Sequence, residues 1–118
     1  MRGSAAGPTT GRATLYLTGD NTCEGPGPTD DTRGYVDYGL AKGKVTVVIS
    51  LQNALPNASH DVFHRCVGPL GTISTNKKGV GKRTFTYAFD PGNAHFGVDM
   101  YSPGNIEYIG SEGFEFVL

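Results

Sequence analysis

Val45, Val47, Ile49 and Leu51 occupy every second position of residues 44–52, with Thr46, Val48, Ser50 and Gln52 between them. A strand places successive side chains on opposite faces, so this spacing predicts a strand with one apolar face. The pattern recurs along the chain. Ala13, Leu15 and Leu17 share one face of residues 12–18, opposite Thr14 and Tyr16. Phe85, Tyr87 and Phe89 share a face of 83–90. Phe96, Val98 and Met100 share one of 95–101, and Phe114, Phe116 and Leu118 one at the C-terminus. Weaker strands are expected over 34–40, 59–67, 70–75 and 105–109. Eighteen glycines and seven prolines among 118 residues make roughly a fifth of the chain, against an average near 12%. Long helices are hard to build at that density, and no segment has a capped helical period.

Turn chemistry falls between these runs. Lys42-Gly43 can close a hairpin, and Asn76 to Gly81 is a polar turn containing glycine. Asp90-Pro91-Gly92-Asn93 and Ser102-Pro103-Gly104-Asn105 are Pro-Gly turns, in which proline fixes φ and glycine accepts a positive φ. The shared Pro-Gly-Asn is a repeated turn device rather than a sequence repeat. Eight or nine short strands with turns every 8 to 12 residues indicate a β-sandwich or small barrel, and the fold expected is a single all-β Greek-key β-sandwich. The expected core is Leu15, Leu17, Val45, Val47, Ile49, Leu51, Phe85, Phe89, Phe96, Val98, Phe114 and Phe116.

One domain is expected over residues 12–118, preceded by a flexible arm over 1–11 that is small, polar and holds nothing to bury. Met1-Arg2-Gly3-Ser4 reads as an expression tag, which can have replaced a native signal. No run of 18 apolar residues is present, so no helical membrane span is expected. A net charge of −1 argues against nucleic acid or anionic lipid held by bulk charge.

Val45 to Val67, followed by Val67-Gly68-Pro69-Leu70-Gly71-Thr72-Ile73-Ser74-Thr75-Asn76-Lys77-Lys78-Gly79-Val80-Gly81, resembles secreted bacterial β-sandwich domains. These are the Greek-key sandwiches of the CHRD and copper–zinc superoxide dismutase type. The resemblance covers residues 44–82, about a third of the chain, and rests on turn chemistry, so it implies topology more than function. In the dismutases a His-x-His pair on a strand binds copper. The corresponding strand here reads His60-Asp61-Val62-Phe63-His64, so the pair is absent and dismutase activity is not expected.

Residues 19–33 form the one long irregular segment, rich in Asp, Gly and Pro. Loops of that length in a compact domain are often functional. Asp20, Glu24, Asp30 and Asp31 offer oxygens of the kind calcium takes, although their spacing fits no EF-hand. A solvated loop pinned by Cys23 is the plainer alternative. Cys23 and Cys66 can form one disulfide, which would imply an extracellular, secreted setting; two unrelated buried thiols are the alternative. Asn57-Ala58-Ser59 is a glycosylation sequon.

His60 and His64 share one face with Val62 and Cys66, but lie about 13 Å apart along a strand, too far to share a metal. His95 is the third imidazole. Lys77, Lys78, Lys82 and Arg83 make a basic run, read as protection of a strand edge rather than a nucleic-acid footprint. Tyr16, Tyr35 and Tyr101 fall opposite apolar faces. Exposed tyrosines stack on sugars or anchor protein partners, and otherwise pair across strands. No nucleophile elbow, phosphate loop or dinucleotide fingerprint is present, and the carboxylates Asp99 and Glu107 read as solubilising.

The resulting expectation is a non-catalytic extracellular binding module without a required cofactor. Its ligand surface would combine the 19–33 loop with Tyr16, Tyr35, Tyr101, Asp30 and Asp31, and would take a protein or carbohydrate ligand. Two alternatives stand beside it: a self-assembling extracellular structural protein, and a small metal-binding protein. Val48 and Val117, opposite core faces, are the residues that would favour a homo-oligomer.

Overall fold

A computed structural model describes residues 10–19, 22, 23, 25–27, 29–90 and 96–114. Among them are eight strands: β1 Thr10–Leu17, β2 Thr32–Ala41, β3 Lys44–Leu51, β4 Ser59–His64, β5 Gly68–Ser74, β6 Gly81–Ala88, β7 Val98–Tyr101 and β8 Tyr108–Ser111. They pair in the order β5-β4-β7-β8-β1-β2-β3-β6, and every neighbouring pair is antiparallel. Pairing therefore runs without a break through one sheet.

That sheet curls until its two outer strands meet. Arg83 on β6 donates from Nη1 to the Thr72 carbonyl of β5 at 2.6 Å. Gly71 of β5 lies against the Phe85 ring, and Gly81 of β6 lies against the Ser74 carbonyl. The result is a nearly closed barrel, sealed between β5 and β6 by side chains and close backbone approach rather than by a ladder.

The alternation of β3 survives intact. Val45, Val47, Ile49 and Leu51 are buried, with Thr46, Val48 and Ser50 partly exposed between them. Leu15, Val98, Phe85, Phe96 and Phe114 are buried as expected, while Leu17 and Phe89 are half-buried against that core. Val36, Val62, Ile73, Met100 and Ile109 join them from the strands with weaker patterns. Each such side chain contributes on the order of 2 kcal/mol by leaving water. Phe116 and Val117 lie outside the described residues.

Several boundaries move. Thr10 and Gly11, expected in the arm, belong to β1 because they pair with Gly39 and Tyr38. The strand expected over 59–67 ends at His64, where Arg65-Cys66-Val67 turns with Cys66 at φ 61°. Cys66 therefore leaves the His60–His64 face and is exposed. The strand expected from His95 begins at Val98, while Phe96 makes an isolated bridge to Phe114. Pro103–Asn105 is a 3₁₀ turn, with Gly104 at φ 69°, and the last described strand begins at Tyr108. The Asp90 turn extends beyond the described residues. Gly34 keeps β2 against β3: its φ is 117°, and a Cβ there would collide with the Ser50 carbonyl.

The two ends of the barrel differ in chemistry. One is packed with rings. Tyr38 stacks on Phe114 at 4.1 Å, and His64 lies 4.6 Å from Tyr87 and 5.5 Å from Phe96. The other end is polar. Glu107 Oε1 accepts from Leu55 N at 2.7 Å and lies 2.8 Å from His60 Nε2, with Arg33 Nη1 3.7 Å from Oε2. The two histidines are inside the barrel on one face, but each serves a different end. Among the described residues, no helix is long and apolar enough to cross a membrane.

Candidate functional site

The outer face of β4, β7, β8 and β1 holds the side chains that alternation turns away from the core. In register across it, Phe63 faces Asp99, Asp99 faces Gly110, and Gly110 faces Tyr16. One step along, Asp61 faces Tyr101 and Tyr101 faces Tyr108. Half of this face is covered and half is open.

The covered half is organised by Arg65. This arginine follows β4 and is 1% exposed. Its Nε donates to Asp99 Oδ1 at 2.8 Å, and its Nη2 donates to the carbonyls of Val98 and Ser111. A guanidinium can lie there because the neighbouring positions lack side chains. A Cβ on Gly97 would sit 2.6 Å from Nη1, one on Gly110 3.4 Å from Nη2, and one on Gly25 would overlap Nη1. Gly25, from the 19–33 segment, lies over the guanidinium. Pro26 is buried, its Cδ close to Gly110. The Cys23–Cys66 disulfide, with its Cα atoms 5.7 Å apart, fastens this loop to the residue after Arg65.

The open half is a groove of about 380 Å³ beside the disulfide. Phe63, Tyr101 and Asp99 line it, together with His64 and the Cys66-Val67-Gly68 turn. The rings of Phe63 and Tyr101 stand 5.7 Å apart at 82°, and Tyr108 stacks behind Tyr101 at 4.6 Å. Val67 is 61% exposed at the rim. Asp99 is 5% exposed and held from behind by Arg65. Burial, then the neighbouring Asp99 charge, pushes the Tyr108 hydroxyl well above its usual range. Burial also lowers His64 below the ordinary histidine value.

The expected site residues scatter. Tyr101 lines the groove. Tyr16 is not exposed but buried (7%), and stands opposite Gly110. Tyr35 lies under the Arg12 guanidinium, 3.9 Å from its ring centroid, and Arg12 is held by Asp37 at 2.7 Å. That arrangement is a cross-strand pair. Asp30 is exposed, and Asp31 pairs with Arg33 at 2.8 Å, which keeps its carboxyl below the usual range. Asp20, Glu24 and His95 lie outside the described residues. Among the described residues, no three His, Cys, Asp or Glu side chains gather as a metal set. Asp99 and Glu107, read as solubilising, are instead held in hydrogen-bond networks.

Phe63, Arg65 and Asp99 were not expected in a site. Phe63 was legible, since it alternates with Val62 and His64. Arg65 was not, because its slot is assembled from three distant glycines. A second depression of about 550 Å³ lies over Arg12, Asp37, Thr46 and Val48. It is shallower in chemistry: its ion pair is exposed, and its ring, Tyr38, is engaged with Phe114. Compared with protein-family models, with curated proteins and with solved structures, the chain matches none.

Proposed function

We propose that this protein is a non-catalytic extracellular binding module whose ligand surface is the groove beside the Cys23–Cys66 disulfide. The observation that carries this reading is the pairing of an open aromatic wall, Phe63 with Tyr101, and a fixed carboxylate, Asp99, in one concavity. Small-molecule sites are commonly concave, mostly apolar and marked by a few placed polar groups. The 19–33 loop contributes as the strap that holds the groove's back wall. Tyr16, Tyr35, Asp30 and Asp31 stand apart from this surface.

A binding role is favoured over catalysis by where the titratable groups lie. His60 is wholly buried, and His64 is 5% exposed with its ring among Tyr87 and Phe96. Asp99 is held in place by Arg65 as its charge partner. An exposed disulfide supports an oxidising, extracellular setting. The strand order supports the resemblance to Greek-key sandwiches. Read around the barrel, β3 lies beside β6 and β7 beside β4, on either side of the β4–β5 pair. Two overlapping Greek keys would place the strands in this order.

The test is a backbone-amide NMR titration with small probes: methyl glycosides, N-acetyl amino acid amides and aromatic acids. Shifts concentrated at Phe63, Val67 and Tyr101 are expected. Shifts concentrated over Arg12 and Asp37, or none at the groove, would overturn the proposal.

A further inference from the structure

We infer that the groove takes a neutral sugar ring, stacked on Phe63 and hydrogen-bonded through its hydroxyls to Asp99. This inference rests on the groove being the ligand surface, and goes beyond it by naming the ligand's chemistry.

The argument begins with charge. Asp99 is the lining residue that carries a charge, since His64 is turned inward and its charged form is disfavoured. Arg65 balances that charge from behind, with Nε 2.8 Å from Oδ1. The base of the groove is therefore an ion pair of no net charge. A cationic ligand gains little there, and an anionic one meets a carboxylate. Yet an ionised carboxylate has about four lone-pair sites; Arg65 Nε takes one of them and the Tyr108 hydroxyl engages another, which leaves about two for a ligand. Spare acceptor capacity without net charge selects neutral O–H donors.

The walls make the second part. Phe63 and Tyr101 both line this space, their rings in a T-shaped contact at 82° that leaves apolar ring surface along one wall. The axial C–H face of a pyranose is apolar while its rim is hydroxylated. Such a ring can cover Phe63 and Val67 and still direct hydroxyls to Asp99. Tyr108 behind Tyr101, and the glycine slot behind Arg65, hold these groups before the ligand arrives. Preorganisation lowers the entropy lost on binding. The groove's volume falls near the lower end for small-molecule pockets, which suits one or two sugar units.

The intact, oxidised protein should be titrated, with amide shifts as the readout, against soluble oligosaccharides of neutral β-glucan, xylan, mannan and chitin. Oligogalacturonate and chitosan fragments supply the acidic and amino arms, and short lysine- and tyrosine-containing peptides a fourth. At least one neutral series is expected to shift Phe63, Val67 and Tyr101 with millimolar or tighter affinity, and the charged series to bind about tenfold more weakly. Phe63→Ala should weaken the neutral sugar about tenfold, while Tyr101→Phe, which keeps the ring, should retain binding. Thermal unfolding of both variants reports whether the fold persists. A preference for the charged series, or no shift with any neutral series, would overturn the inference on the wild-type protein alone. If peptides then shift the groove amides, the groove stands as a site and the sugar does not. If no probe shifts them, both readings fall.

Discussion

Arg65 and Asp99 form an ion pair on the outside of the barrel, Nε to Oδ1 at 2.8 Å, with the guanidinium beneath a segment that a disulfide ties down and the carboxylate at the base of the groove. Its position is unusual because outward side chains of a sheet normally meet water. Here Gly25 and Pro26 supply a second layer over the sheet. Removing Arg65 leaves Asp99 buried and unpaired, and breaking such a pair costs about 3–5 kcal/mol. Arg65→Met should therefore lower stability by about that amount in urea unfolding. A change below about 1 kcal/mol would show that the pair contributes no more than an exposed one.

The glycine slot gives a graded steric prediction. A Cβ on Gly97 would lie 2.6 Å from Arg65 Nη1, whereas one on Gly110 meets nothing nearer than 3.3 Å. Gly97→Ala should destabilise by about 1–3 kcal/mol through overpacking, and Gly110→Ala by clearly less. Equal effects in thermal unfolding would count against the slot.

Reduction of Cys23–Cys66 opens a link between residues 43 apart. By the chain-entropy model this costs about 3–4 kcal/mol. Hydrogen exchange should rise first at the amides of Gly25 and Arg65, which bond to Thr22 and Gly97 carbonyls. Exchange rising first at β3 instead would separate the disulfide from the strap.

Two groups at the aromatic end set opposite pH limits. Burial holds His64 below its ordinary value of 6.5 in the folded protein. The unfolded chain takes up that proton first, so this contribution is present in full above pH 6.5 and is lost as pH falls below it. Burial pushes Tyr87 from 10.0 up to about 12. Its contribution is present below pH 10 and is lost as pH rises towards 12. His64→Phe should flatten the acid side of the stability profile, and Tyr87→Phe the alkaline side. Stability-versus-pH curves unchanged by either substitution would contradict this assignment.

At the polar end, Glu107 joins three elements by accepting from Leu55 N and bonding His60. Glu107→Ala orphans a backbone donor and a buried imidazole, and should cost about 2–3 kcal/mol. Glu107→Gln keeps an acceptor and should cost less. The two are separated by chemical denaturation.

The core was legible because β3, β6 and β7 alternate with large apolar residues, and period two translates directly into faces. The outer layer was not. Tyr16 and Tyr101 look alike in sequence, each a tyrosine opposite an apolar face. One is buried and pairs across the sheet with Gly110; the other lines a groove and pairs with Asp61 and Tyr108. Those pairings link residues far apart in the chain, and local pattern carries no trace of them. Gly25, Gly97 and Gly110 read as ordinary flexible positions until Arg65 is seen between them. The disulfide was legible from Cys23 in a loop with little else to bury it, but what it strapped down was not.

Intermolecular nuclear Overhauser contacts between a bound neutral oligosaccharide and the aromatic ring protons test the central claim most directly. Contacts from sugar ring protons to Phe63, with weaker ones to Tyr101 and the Val67 methyls, are predicted. Contacts to Tyr35 or Tyr38 instead, with none to Phe63, would contradict the groove as the ligand surface.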